Sequence, residues 1–273
     1  MLSLSNLRAA LAPAGLNAVG VADPAAWDAR MGPERVTGAL LPGARAIIVV
    51  GNGGPTLWRA FVAALEADPG RLTREKNPID AFVRREVLRA DEALGDAPRR
   101  WFWAAADAET HIDFRVLAHL AGLGAASRLG LLLHDRWGPW LGLRAACFVD
   151  LALPFDRPQT ATGLELSAHC RDCHACEVAC PGAAFPGGTW AVDACSTFHH
   201  TSTACASTCH SRAACPVGAK DRYDPDEFAY HSNRRLGRQA LRAHLGVRDG
   251  ADRFEGEGPF WRDWRTRTDV SGG

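Results

Sequence analysis

Four closely spaced cysteines are the feature that most constrains this chain. Cys170, Cys173, Cys176 and Cys180 form a C-x2-C-x2-C-x3-C run, and Pro181 follows the last of them. This spacing is typical of segments whose thiolates bind iron-sulfur clusters, where the fourth cysteine of the run binds a neighbouring cluster. The run therefore predicts the handling of single electrons and a second set of cysteines further along the chain.

The second set lies downstream and is less regular. With Cys195, Cys205, Cys209 and Cys215 included, this stretch holds eight of the nine cysteines of the chain. In two-cluster ferredoxins the last cysteine of each run binds the other cluster, and by that analogy we assign two sets of ligands. One [4Fe-4S] cluster is expected to bind Cys170, Cys173, Cys176 and Cys215, and the other Cys180, Cys195, Cys205 and Cys209.

A zinc site and a disulfide framework are the alternatives for these cysteines. Zinc fits two separate C-x2-C pairs better, whereas this run is continuous and both sets end in a Cys-Pro pair. Disulfides belong to oxidising compartments, and the N-terminus has neither a secretion-type apolar stretch nor a twin arginine. We therefore expect iron-sulfur clusters and a cytoplasmic protein.

Length and charge limit the classes of function. The chain has 273 residues, 47% of them hydrophobic, which is enough to bury the core of one large domain with a small insertion. Its 31 basic and 31 acidic residues balance, so charge gives no reason to expect nucleic acid or an anionic membrane as a partner. No stretch approaches the roughly 18 apolar residues of a membrane-spanning helix, and we expect none.

The first part of the chain alternates between helical and extended patterns. Apolar residues recur at helical spacing over residues 4–14, 57–67, 78–94 and 112–123. Short apolar runs predict strands over residues 18–22, 45–50, 101–105, 129–133 and 140–153. Thr56 is expected to cap the helix that follows it. This order predicts an α/β or α+β domain over residues 1–160.

The composition changes after Pro154. Residues 161–222 are rich in cysteine and have too few aliphatic side chains for a core of their own, so this segment is expected to depend on its clusters to fold. Residues 223–273 contain a basic helix over residues 232–245 and an aromatic tail. We expect them to pack back on the first domain.

Several short blocks resemble known families. Residues 15–23, 41–50, 121–124 and 131–140, followed by the cysteine segment, resemble the epoxyqueuosine reductases. Those enzymes share a nitroreductase-like fold with reductive dehalogenases and with the cytosolic chaperones that remove the upper ligand of cobalamin. The resemblance implies an α+β fold, a nitroreductase-like α/β sandwich with an inserted two-cluster ferredoxin-like segment, and cobalamin as a second cofactor.

Residues 134–144 and the C-terminal tail are similar to the processing chaperones, with Trp261, Trp264 and Arg267 matching in the tail. Arg144 and Arg267 match arginines near the upper face of cobalamin, where paired guanidinium groups can bind carboxylates. Alternatively, both arginines hold the tail onto the first domain.

The aromatic turn of residues 134–140 is the predicted corrin contact. The backbone around Gly138 and Gly142, with Trp137 and Trp140 beside it, is expected to lie against the corrin or its side chains. The alternative is an ordinary aromatic hairpin. His134 is expected to be structural rather than a cobalt ligand.

The chain departs from these families in two places. Epoxyqueuosine reductases carry a catalytic aspartate where this chain has Ala108, with Asp107 and Glu109 adjacent, so this departure predicts that the family's proton donor is missing. The spacing from Cys205 through Cys209 to Cys215 is longer than the expected C-x2-C-x3-C-P. Cys147 lies in an apolar run and is expected to be a buried small hydrophobe.

The resemblance and the cysteines together imply electron transfer from clusters to a corrin. The expected reaction is reductive removal of the upper ligand or another cobalamin-dependent reduction, with a ferredoxin or flavodoxin as electron donor. Epoxyqueuosine reduction in tRNA is the first alternative. A non-catalytic ferredoxin-type electron carrier is the second.

Overall fold

The computed structural model describes residues 3–104, 112–155 and 164–247. The strands are β1 (Ala18–Ala22), β2 (Ala46–Gly53), β3 (Arg99–Trp103), β4 (Ala125–Ala126), β5 (Leu132–Leu133) and β6 (Leu141–Val149). The helices are α1 (Leu4–Leu11), α2 (Pro24–Asp28), α3 (Thr37–Leu40), α4 (Thr56–Ala67), α5 (Arg71–Arg74), α6 (Pro78–Ala90), α7 (Phe114–Leu120), α8 (Ala175–Val178), α9 (Val192–Thr201), α10 (His210–Ala213), α11 (Pro225–Ser232) and α12 (Arg234–His244).

An open antiparallel sheet forms the centre of the protein. Four strands lie in the order β1-β2-β6-β3, and each neighbouring pair is antiparallel. β4 and β5 form a separate two-stranded hairpin. The α+β class predicted from the sequence is therefore confirmed.

Both faces of the sheet are covered, because side chains alternate between the two faces of a strand. Ile48, Val50 and Cys147 lie in a core shared with α1, α4 and α6, whereas Ile47 and Phe148 lie in a second core shared with α2 and α7. This explains the uninterrupted apolar run of β2. Cys147 is fully buried, as expected.

The register between β2 and β6 changes near Asn52 and Arg144, the polar residues that the two strands bring together. Val50 pairs with Ala145, but the next residue, Gly51, pairs with Leu143, so Arg144 is the extra residue of a β-bulge. Bulges change the direction in which a side chain points. Here the bulge places Arg144 beside Asn52, to which its Nε donates a hydrogen bond of 2.8 Å.

The structure corrects several boundaries. β2 runs to Gly53, because residues 51–53, which resemble a turn, pair with β6. The strand expected over residues 129–133 is reduced to Leu132–Leu133, and the helix expected over residues 78–94 ends at Ala90 and continues as a short 3-10 turn. Thr56 does not cap α4, because its hydroxyl donates instead to the carbonyl oxygen of Gly15, at 3.1 Å.

The helices after the cysteine segment lie against the first part of the chain. Arg238 of α12 is almost completely buried and donates to the carbonyl oxygen of Leu72 at 2.6 Å. No helix among the described residues has the length and apolar character needed to cross a bilayer. Asp107, Ala108, Glu109 and Arg267 lie outside the described residues, as do Trp261 and Trp264.

Candidate metal centres

One cavity is lined by the four thiols that were assigned to the first cluster. Cys170 ends a 3-10 turn, Cys176 lies on α8, and Cys215 follows α10. The cavity is lined by Ser127, Arg128, Leu129, Leu133, His169, Cys170, Cys173, Ala175, Cys176, Cys215, Pro216 and Val217. The fold therefore places Cys215 beside the first three cysteines of the run, although Cys205 and Cys209 are nearer to it in sequence.

The surroundings of these thiols are apolar. Cys176 and Cys215 are buried with Leu129 and Leu133 of the hairpin region in a small apolar cluster. Burial raises the pKa of the Cys176 thiol to about 11, and Glu177 and Cys170 add to this effect. Burial also raises the pKa of Cys215. Thiols bind metals as thiolates, so metal binding here must release protons.

Among the four thiols assigned to the second cluster, Cys205 is influenced by the other three. Burial raises the pKa of Cys205, and the neighbouring thiols of Cys209, Cys180 and Cys195 raise it further. Cys195 lies on α9, and the Sγ of Cys180 accepts the backbone N–H of Ala184 at 3.4 Å. Among the described residues, no group of three or more His, Cys, Asp or Glu side chains is close enough together to hold a single metal ion.

Arg128 attaches the cysteine segment to the hairpin region, and the sequence analysis did not identify it. Its guanidinium donates to the carbonyl oxygens of Cys170 (2.9 Å), Arg171 (3.2 Å) and Gly188 (3.3 Å). It also forms an ion pair with Glu177 at 3.1 Å. A single arginine between Ser127 and Leu129 carries no sequence signal for such a role.

Three of the predicted corrin contacts pack inside the protein. Trp140 is 1% exposed, with its ring against Tyr223 and Phe228. Trp137 is also buried, and Gly138, at φ +56°, lies against the backbone of Val217, where a Cβ would overlap it. Through these contacts Trp137 and Gly138 join the aromatic turn to the cysteine segment. A corrin contact at these residues stays a prediction.

His134 lies in the same turn and has a protein partner. Its Nδ1 accepts the backbone N–H of Arg136 at 3.0 Å, and its ring lies 4.2 Å from that of Trp137. Burial lowers the pKa of His134. These contacts are the kind expected of a structural histidine.

Arg144 and Gly142 lie at a different place, beside a cluster of buried polar groups. A Cβ at Gly142 would come within 2.7 Å of the Asn52 Oδ1 that accepts from Arg144, so a larger residue here would displace that pair. The guanidinium of Arg144 acts electrostatically on Asp80 of α6 and on Glu227 of α11. Burial raises the pKa of Asp80, while Arg144 and Arg234 oppose that rise.

Glu227 is the member of this cluster that sequence reasoning missed. It follows Pro225 in the first turn of a helix, where an acidic residue is normally exposed and favours the positive end of the helix dipole. In the structure it is completely buried. Burial raises the pKa of its carboxyl group to about 8 against the opposing effect of Arg144.

The fold has clear relatives among solved structures. No protein-family model and no curated protein sequence matches this chain. An epoxyqueuosine reductase bound to an epoxyqueuosine-modified tRNA stem loop aligns with a TM-score of 0.56 and 14% identity, over 95% of this chain and 79% of that one. The Streptococcus thermophilus epoxyqueuosine reductase aligns with a TM-score of 0.52 and 16% identity, over 90% and 76%.

The B12-trafficking protein CblC of C. elegans, a homologue of human MMACHC, has the same fold. It aligns with a TM-score of 0.56 and 10% identity, over 90% of this chain and 97% of that one. At these identities the likeness concerns the fold. The chain therefore has the fold shared by the epoxyqueuosine reductases and CblC, as its sequence resemblance to that superfamily predicts.

Proposed function

We propose that this protein is a cobalamin-binding iron-sulfur oxidoreductase. Cys170, Cys173, Cys176 and Cys215 hold one [4Fe-4S] cluster, and Cys180, Cys195, Cys205 and Cys209 hold another. Electrons pass from these clusters to a corrin for reductive removal of its upper ligand or for another cobalamin-dependent reduction. A ferredoxin or flavodoxin supplies the electrons.

The observation that carries this proposal is the cavity that Cys215 shares with the first three cysteines of the run. The analogy with two-cluster ferredoxins requires this grouping, which local spacing alone would not produce. The donor set also fits a cluster, because it consists of thiols in apolar surroundings. Solvent exclusion and hydrogen bonds to the sulfurs are among the factors that set cluster potentials.

The corrin is supported by the fold and by the polar groups around Arg144. The indole N–H of Trp140 and both carboxyl oxygens of Glu227 are buried and have no hydrogen-bond partner within the described residues. Such atoms are costly in a closed core and are expected where a polar ligand binds. Cobalamin would supply the redox chemistry at its cobalt, whereas Arg144 would bind anionic groups and the apolar walls would exclude water.

The test is anaerobic iron and sulfide analysis of the reconstituted full chain, with absorption spectra before and after cobalamin is added. We expect two clusters and a shifted corrin spectrum. Cys173→Ala should lose about half of the iron, since one cluster of two is removed. The matched control is Cys147→Ala, which removes a buried thiol of the sheet and should leave the iron content unchanged. Unchanged iron in Cys173→Ala would refute the ligand assignment.

Epoxyqueuosine reduction is the second candidate. It is favoured by the alignment over 95% of this chain with a reductase that was crystallised with a modified tRNA stem loop. Turnover of an epoxyqueuosine-containing anticodon stem loop would establish it. Reversible redox cycling of the clusters without any corrin binding would instead indicate a simple electron carrier.

A further inference from the structure

Glu227 is a buried acid to which the proposed electron path assigns no role. Its side chain is 0% exposed, and neither carboxyl oxygen has a hydrogen-bond partner among the described residues. An isolated carboxylate in such a place is very costly, and a buried acid normally stays protonated instead. A protonated carboxyl group can donate its proton to a ligand.

The charged groups around Glu227 do not neutralise it by direct contact. Those that act on it are Arg144 of β6, Arg212 of α10, Arg59 of α4 and Asp224, which precedes α11. Asp80 of α6 acts on the neighbouring Tyr230, and Arg234 of α12 acts on the neighbouring His231. Arg59, Arg212 and Arg144, the three arginines that act on Glu227, are each bonded elsewhere. Arg59 pairs with Asp224 at 3.1 Å, Arg212 donates to the carbonyl oxygen of Pro139 at 2.6 Å, and Arg144 donates to Asn52.

His231 connects Glu227 to solvent. It lies one helical turn further along α11, and its Nε2 is 3.8 Å from Oε1 of Glu227. One quarter of the His231 side-chain surface is exposed, whereas Glu227 has none exposed. Burial and the nearby guanidinium groups, of which Arg144 acts most strongly, lower the pKa of His231, so its ring is neutral at pH 7. A neutral imidazole has one nitrogen that donates and one that accepts a hydrogen bond, as a proton relay requires.

We propose that Glu227 is a protonated acid that supplies protons beside Arg144, and that His231 reprotonates it from solvent. The identity of the ligand rests on the proposed function. Reductive removal of an upper ligand would need a pair of electrons, which the clusters would supply, and a proton, which would form the new bond to the departing group. Glu227 would supply that proton by breaking its O–H bond, and His231 would return a proton taken from water.

The protonation state can be measured without turnover, by infrared spectroscopy of the cluster-loaded full chain in the absence of cobalamin. A protonated carboxyl group has a C=O stretch that is separate from the bands of a carboxylate. We expect such a band at pH 7, its loss as pH rises through about 8, and its absence in Glu227→Gln. Asp226→Asn changes the exposed neighbour on the same helix and should leave the band unchanged.

The relay is tested by the rate at which that band shifts after dilution into D2O. His231→Phe should slow the exchange by about tenfold or more, because general acid-base groups typically contribute rate factors of that order or larger. His231→Gln keeps a polar side chain at this position and separates loss of packing from loss of the proton acceptor. Exchange as fast as in the native chain in both variants would overturn the role of His231.

These measurements distinguish a failure of the proton-donor role of Glu227 from a failure of the proposed reductase function. If no corrin binds but the infrared band is present and sensitive to Glu227→Gln, the acid is established and its ligand is a different one. If a corrin binds and the band is absent at pH 7, the acid is refuted while the reductase stands. When a corrin binds and the infrared band is present, Glu227→Gln should lower the rate of upper-ligand removal about 100-fold and leave the iron content unchanged.

Discussion

The antiparallel sheet and the cysteine segment are stabilised by different means. Every residue of β1 and β2 is buried, and apolar side chains cover the sheet on both faces. The buried cluster that the cysteine segment shares with the hairpin region is small, and two of its four buried members are Cys176 and Cys215. Val178 and Val192, two of its few aliphatic side chains, are 86% and 59% exposed.

The difference predicts which part of the molecule depends on a bound cofactor. Burial of apolar surface stabilises the sheet by about 25 cal/mol per Å2 whether or not a ligand is present. The cysteine segment has little such surface, so under the proposed function we expect its folding free energy to come largely from metal binding. The contacts that hold it in place, from Arg128 to the backbone of Cys170 and from the Val217 backbone to Gly138, only position it.

Removal of iron should change stability more than any of the substitutions below. It should destabilise the cysteine segment alone. Metal binding supplies apparent stabilisation on the order of 10 kcal/mol in small metal-dependent domains. We expect backbone amides of residues 164–222 to lose protection from hydrogen exchange on chelation, while amides of β2 and β6 keep theirs. Equal loss in both regions would mean that the protein folds as one cooperative unit.

A substitution that creates a cavity in the core of the sheet should destabilise the sheet and not the cysteine segment. Phe148 is fully buried against Trp27 and Phe102, with ring centroids 6.2 Å and 5.4 Å away. Phe148→Ala should therefore lower the free energy of unfolding by about 3–5 kcal/mol, measured by denaturant titration. The iron content should stay at the native level. The control Phe155→Ala removes an exposed ring and should change stability by less than about 0.5 kcal/mol.

The sheet was predictable from the sequence because its signals are local. The short apolar run and the flanking Gly15 and Pro24 give β1 at its observed bounds. The extension of β2 through Gly51 and Gly53 was not predictable, since glycines normally indicate a turn and here they pair across a bulge. Tertiary pairing with β6 decided the structure of those residues.

The candidate site was predictable only where spacing itself encodes the chemistry. The grouping of Cys215 with the run follows from the known pattern of two-cluster segments, and the structure places these thiols around one cavity. Arg128 and Glu227 have no such pattern. Their roles depend on which backbone carbonyls and which apolar walls surround them after folding, and a single sequence does not contain that information in any local form.

The stability of the protein should fall as pH rises from about 5.5 to 7.5, because of Glu227. Its pKa rises from 4.5 to about 8 on folding, so the folded state keeps a proton that the unfolded state releases over this range. The stabilisation is therefore complete below pH 4.5 and is lost as pH approaches 8. The loss over two pH units is about 2.5 kcal/mol at most.

Glu227→Gln should flatten this pH dependence, since glutamine resembles the neutral acid and does not titrate. Urea titrations at several pH values, monitored separately by tryptophan fluorescence and by cluster absorption, would show which region α11 stabilises. If the variant keeps the native slope, another group is responsible. Asp226→Asn is the control and should keep that slope.

Arg128→Ala should give the smallest of these effects and should act on the junction between the two regions. Hydrogen bonds from a charged donor contribute about 1.5–3 kcal/mol each when buried, and the partial exposure of Arg128 favours about 2 kcal/mol in total. We expect iron to be lost to a chelator faster by about tenfold, while the unfolding of the sheet is unchanged. Arg171→Ala removes an exposed neighbouring arginine and should not alter the rate. If Arg128→Ala instead destabilised β2 and β6, the sheet would depend on the cysteine segment, and the contrast between the two regions would be wrong.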